Sequence, residues 1–137
     1  MAERFTNYLT STSYNKGDSH IIIPVQNSTL SEYGIGDRED GATSQIHSIY
    51  ITKHVTDNYT NNDPLSQAAV VSLSIVDGNN EYFIANNVMV LPHSSFYVEK
   101  AITLLPQQYL KLTYSNISPN ANGTTISTVC STVDITD

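Results

Sequence analysis

The sequence predicts an all-β fold: a single antiparallel β-sandwich, jelly-roll or immunoglobulin-like, of about eight or nine short strands. Three observations carry this expectation. Apolar and polar residues alternate at period two through most of the chain. Val, Ile, Thr and Tyr are enriched, with nine tyrosines and no tryptophan. Turn residues recur at roughly 8–12-residue intervals, and no segment carries the i, i+3, i+4, i+7 stripe of a capped helix. At 137 residues the chain has room for one core, so residues 1–137 form one domain.

The elements follow in order. Residues 1–13 are polar and Thr-rich, with Phe5 and Leu9, and read as an N-terminal arm or an edge strand. Residues 20–26 form a short strand whose Pro24 lacks a ladder donor, which favours an edge or a strand end. Gly34, Gly36 and Gly41 punctuate residues 27–44, an exposed acidic loop around Asp37, Arg38, Glu39 and Asp40. In the strand at 45–55, Ile49, Ile51 and Val55 share a face. Ile46 is out of phase with them, which predicts a bulge near His47–Ser48. Residues 56–67 are a second long loop, turning at Asn61-Asn62-Asp63-Pro64.

Ala69, Val71, Leu73 and Ile75 face one way in the next strand. Asp77-Gly78 then separates two apolar runs and predicts a tight hairpin. Short strands follow around Val88–Leu91, Phe96–Val98 and Ile102–Leu104. Leu110, Leu112 and Tyr114 share the buried face of a strand at 109–114. The last strand, Thr125–Ile135, is expected to bury Val129, Val133 and Ile135.

Composition restricts the function classes. Net charge is −7, and no Lys/Arg cluster is present, which argues against nucleic acid as a partner. No apolar run reaches the ~18 residues of a membrane span, and no apolar segment follows Met1 as in a secretory signal. Ser, Thr and Asn number 44, so the sequons at Asn27, Asn58, Asn116 and Asn122 are what chance supplies. The single Cys130 excludes an internal disulfide and reads as a small buried hydrophobe.

No catalytic constellation stands out. His20, His47, His54 and His93 lack metal-ligand spacing, and His93-Ser94-Ser95 is ordinary turn chemistry without a Gly-x-Ser-x-Gly elbow. Asp37 and Asp40 lack the spacing of an EF-hand. The expectation is no enzyme, no cofactor and no metal, and a protein that works through its surface.

From about Ser44 onward the chain resembles small virion structural proteins of tailed bacteriophages, of the type frequent in phages of marine and cyanobacterial hosts. The resemblance lies in the order of strands and turns. A strand like Ile46-His47-Ser48-Ile49-Tyr50-Ile51-Thr52 leads to a Val-rich strand closed by Asp-Gly-Asn. A Tyr-Phe-Ile strand, Val90-Leu91-Pro92-His93-Ser94-Ser95-Phe96, Ile102-Thr103-Leu104 and a Leu-Lys-Leu strand come next. A Val-rich strand ends in Asp134-Ile135-Thr136. About two-thirds of the chain is covered, and residues 1–43 are not.

The resemblance implies a virion protein assembled in the host cytoplasm, most simply a capsid decoration or cement protein on the outside of the head. Its partners would be itself, as a homo-oligomer such as a trimer, and other virion proteins such as the major capsid protein. Arg4, Phe5 and Tyr8 would be arm contacts, and the loop Asp37, Arg38, Glu39 and Asp40 a second interface. A neck, collar, tail, fibre or baseplate position is the alternative. A carbohydrate-binding module using Tyr33 and Tyr59 is a further alternative, weakened by the absence of Trp.

Overall fold

Period-two alternation becomes two facing antiparallel sheets. The structure is a computed structural model that describes residues 1–54, 68–91, 94–115 and 124–137. Among these residues the long elements are β1 (Ala2–Tyr14), β6 (Thr43–Lys53), β7 (Ala69–Asp77), β8 (Asn80–Val90), β11 (Tyr109–Ser115) and β12 (Thr124–Thr136). Shorter ones are β2 (Ser19–Ile23), β9 (Ser95–Val98) and β10 (Ile102–Leu104). Three two-residue strands complete the set: β3 (Ser28–Thr29), β4 (Gly34–Ile35) and β5 (Asp37–Arg38).

One sheet runs β10-β6-β12-β1-β4, with β9 pairing farther along the β6 edge that β10 also uses. The opposing sheet runs β2-β11-β7-β8, and β3 pairs β5 in a small separate ribbon. The core lies between the two large sheets. Tyr8, Ile46, Ile49, Ile51, Ile126 and Cys130 come from the first sheet, and Ile22, Leu73, Leu110, Leu112 and Tyr114 from the second.

Several local expectations hold. Leu110, Leu112 and Tyr114 are fully buried. The register between β12 and β6 passes from Ser131↔Ser48 to Thr132↔Ile46, so His47 is the extra, bulged residue. The bulge keeps both Ile46 and Ile49 on the inside. Asp77 pairs Asn80 across a two-residue loop. Gly78 there has φ +59° at the first central position, as a type II′ turn requires.

Three expectations are corrected. Of the two readings of the N-terminus, arm or edge strand, the arm gives way to the strand: β1 pairs β12 over its whole length, from Ala2↔Thr136 to Tyr14↔Thr124, and on its other side meets β4 only at Leu9 and Thr10. The 27–44 segment is not simply a solvated loop, since β3, β4 and β5 lie in it and Arg38 is buried. Of the residues expected to be buried in β12, Val133 is and Val129 is not, for the strand's inward phase is the even one. Its inner face carries Ile126, Thr128, Cys130, Thr132 and Asp134, while Val129 points outward. The polar inner positions find partners inside: Thr10 and Thr128 share a hydroxyl–hydroxyl bond, and Thr132 donates to the Thr6 carbonyl. The long loop expected at 56–67 lies outside the described residues.

Burial pushes the Cys130 thiol up to about 12. A thiol held protonated is a poor nucleophile. The expected outcome is that Cys130 resists iodoacetamide at mildly alkaline pH in the native protein and reacts at the ordinary rate in denaturant, as followed by intact mass.

Candidate interaction surface

The seven residues expected at an interface fall into two groups. Tyr8 and Arg38 are inside the protein and offer no surface. Phe5 is 85% exposed, and Asp37, Glu39 and Asp40 are exposed. Arg4 is committed to its own chain. It bonds the Asp37 carbonyl at 2.5 Å, pairs with Glu39 at 3.2 Å, and reaches Asp134 at 3.5 Å.

Tyr8 and Arg38 are buried because each anchors a polar network. Arg38 Nη1 donates to the carbonyls of Pro24 at 2.9 Å and Gln108 at 2.6 Å. Nη2 faces those of Ala42, Leu104 and Leu105 at 3.1, 2.8 and 2.8 Å. Nε donates to Ser44 Oγ at 3.0 Å, and Ser44 in turn donates to Asp134 Oδ1 at 2.6 Å. Tyr8 donates its hydroxyl to Asp134 Oδ2 at 2.7 Å. Burial, and then the bond to that carboxylate, raise the Tyr8 pKa. Burial lowers that of Arg38, and the Tyr8 and Asp134 charges oppose the shift. The network is structural: its donors are spent on backbone carbonyls and on Asp134, not aimed at a cleft.

A different surface has the features of an interface. Residues paired in register share a face. Ile35 pairs Leu9, Leu9 pairs Val129, Val129 pairs Tyr50, and Tyr50 pairs Tyr97. These five side chains form an apolar row across β4, β1, β12, β6 and β9 on the outer face of the first sheet. Their exposures run from 37% at Leu9 to 71% at Ile35. The Tyr50 and Tyr97 rings stack at 5.7 Å, and Phe5 stands beside the row opposite Val133. The rest of this face is Asn7, Ser11, Ser127, Ser131, Thr52 and similar neutral groups, with Glu3 at its end the one carboxylate among the described outward positions of β1, β12, β6 and β9. The opposing sheet differs, for its outer face carries the Lys111–Glu81 pair at 3.2 Å.

The row depends on two close approaches of β4 to β1. A Cβ at Gly34 would enter the Leu9 carbonyl. One at Gly36, where φ is +146°, would come within 2.5 Å of the Tyr8 ring. Glycine at both positions lets Ile35 lie against Leu9.

Two other features were weighed. A groove of about 440 Å³ beside β2 is lined by Ser19, His20, Pro24, Leu30, Glu32 and Tyr33. The His20 ring is held between Tyr14 at 4.4 Å and Tyr33 at 4.5 Å. On the outer face, His54 Nε2 lies 2.5 Å from Ser127 Oγ, which donates to Ser11. With its proton directed to Ser11, Ser127 accepts from His54, so this is a hydrogen-bonded surface chain and not an activated nucleophile. Among the described residues no three His, Cys, Asp or Glu side chains converge as metal ligands.

Of the exposed apolar groups on this face, the sequence singles out Phe5 alone as a contact candidate. Ile35 was inside a presumed loop, and Val129 was assigned to the core. The signal that could have found the row was the run of large apolar residues on the outward phase of three strands, but that phase becomes visible only once register is known.

No protein-family model matches the sequence, and no curated protein matches it. Among solved structures, the chain is similar to one described as the cyanophage Pam1 capsid asymmetric unit, with a TM-score of 0.52 and 10% identity. The match covers 96% of this chain and 84% of that one. At that identity the likeness is one of fold.

Two predictions follow from this geometry. Arg38→Met leaves five carbonyls and the Ser44 hydroxyl without their buried donor, and it is expected to cost about 3–5 kcal/mol in urea unfolding, with Arg38→Lys recovering little because an ammonium cannot span the same acceptors. Ile35→Ser and Phe5→Ser are expected to leave stability within about 0.5 kcal/mol while shortening retention on a hydrophobic-interaction column.

Proposed function

We propose that this chain is a non-enzymatic bacteriophage virion structural protein, a decoration or cement protein on the outside of the capsid head. The observation that carries the reading is the likeness of nearly the whole chain to a chain of a cyanophage capsid. The sequence resemblance to virion proteins of tailed phages points the same way.

Physical features support it. A protein that lasts on a particle surface needs a body that holds its shape and faces that make contacts. Here Arg38 binds the two sheets together, and Asp134 ties β1, β6 and β12 within one of them. The outer face of the β10-β6-β12-β1-β4 sheet supplies an uncharged surface with exposed aromatic and aliphatic groups, the composition found at the centre of protein interfaces. The exposed carboxylates of Asp37, Glu39 and Asp40 add to a net charge of −7, which suits the outside of a head better than its DNA-filled interior.

The chain acts by binding, without turnover. Quantitative mass spectrometry of purified particles is expected to find one copy per capsid subunit, or one per few. A handful to a few tens of copies would move the protein to the neck, tail or fibres, and absence from particles would overturn the virion role.

A further inference from the structure

We infer that the outer face of the first sheet is occupied by a second copy of this chain, packed face to face about a two-fold axis at Val129. This goes beyond the virion role and does not rest on it.

Charge is the first argument. Each copy carries −7, so two copies repel wherever their carboxylates approach. Asp37 borders this face beside Phe5, Asn7 and Ile35, while Glu39 and Asp40 follow β5 in the chain and Glu81 and Lys111 lie on the opposing sheet. Among the outward positions of β1, β12, β6 and β9 only Glu3, at the end, bears a carboxylate. Two like-charged copies therefore meet here with least repulsion.

Area is the second. Five strands at about 4.8 Å spacing carry the row about 19 Å across, and the thirteen residues of β1 and β12 run about 40 Å. The face is thus on the order of 800 Å², the share each partner contributes to a standard stable interface.

Self-complementarity is the third. Val129 is the middle of the row, with Leu9 and Ile35 on one side and Tyr50 and Tyr97 on the other. A two-fold axis in the interface, parallel to the strands and passing at Val129, sets Ile35 against Tyr97 of the second copy. It sets Leu9 against Tyr50 and Val129 against itself. Aliphatic groups then meet the stacked tyrosine pair at both ends, and the strands of the two copies lie near parallel, as in aligned sheet packing.

Sedimentation equilibrium of the isolated chain at micromolar concentration tests this. The expected mass is twice 15.1 kDa. Val129→Glu places two carboxylates against each other on the axis and is expected to weaken the dimer at least about a hundredfold, with an unchanged circular dichroism spectrum and a urea midpoint that no longer rises with protein concentration. Val129→Cys is expected to be linked into a dimer by a short bismaleimide reagent that spans the roughly 10 Å between packed sheets, whereas the parent chain, whose Cys130 is buried, gives none. This second variant keeps the test decisive if the first disturbs folding. A monomer at all these concentrations overturns the inference, as does a dimer that neither substitution affects. A monomer that binds capsids and loses that binding in Val129→Glu also overturns it, and assigns the face to another virion protein. A dimer absent from purified particles leaves the inference standing and overturns the virion role instead.

Discussion

One guanidinium ties the sandwich together. Arg38 reaches carbonyls just after β2, just before β6, at the end of β10 and just before β11. β2 and β11 belong to one sheet, β6 and β10 to the other. Hydrophobic burial presses the two sheets together but has no direction of its own. A planar fork of five N–H groups has directions, and it sets where these four segments meet. Taking that charge out of water costs several kcal/mol, which the carbonyl dipoles and the nearby Asp134 offset. The loop around Arg38 is acidic and short of apolar groups, yet it is held, because its one strong donor is turned inward.

The same constraint explains the inward phase of β12. Asp134 must face inward to receive Ser44 and Tyr8. Alternation then commits Thr132, Cys130, Thr128 and Ile126 to the interior as well. Val129 is left on the outside with Leu9 of β1 opposite it, while Val133 is covered and Ile135 half-buried. The polar interior and the apolar exterior of this sheet are one fact. β12 covers both phases only near its end, at Thr132, Val133 and Asp134; along the rest of the strand the carboxylate with four donors decides which side faces in.

What could be read from residues alone follows this division. The His47 bulge, the Asp77-Gly78 hairpin and the inward face of β11 were legible, because each depends on neighbours within a few positions. The fold class was legible from period and composition. The inner face of β12 was not, since a rule that sorts by hydrophobicity puts Val129 inside and Thr128 outside. Nor was the burial of Arg38, whose acceptors lie up to 70 residues away in sequence. Of the candidate contact residues, Phe5 was placed on the exposed face, while Tyr8 and Arg38 turned out to be framework. In both failures a polar group buried by a distant partner outweighed the local pattern.

The ladder between β1 and β12 has a consequence for how the chain comes off the ribosome. β1 is paired along all thirteen of its residues with β12, at the far end of the described chain. β6, too, borders β12, so the middle of that sheet is empty until residues 124–136 emerge. The β7–β8 hairpin and its neighbour β11 can assemble during translation, because their partners are close in sequence. The other sheet must wait, with the backbone edge of β1 open to any strand that meets it. The decisive step of folding therefore waits on β12, and crowding among nascent copies whose β1 edge is still open is the hazard before it.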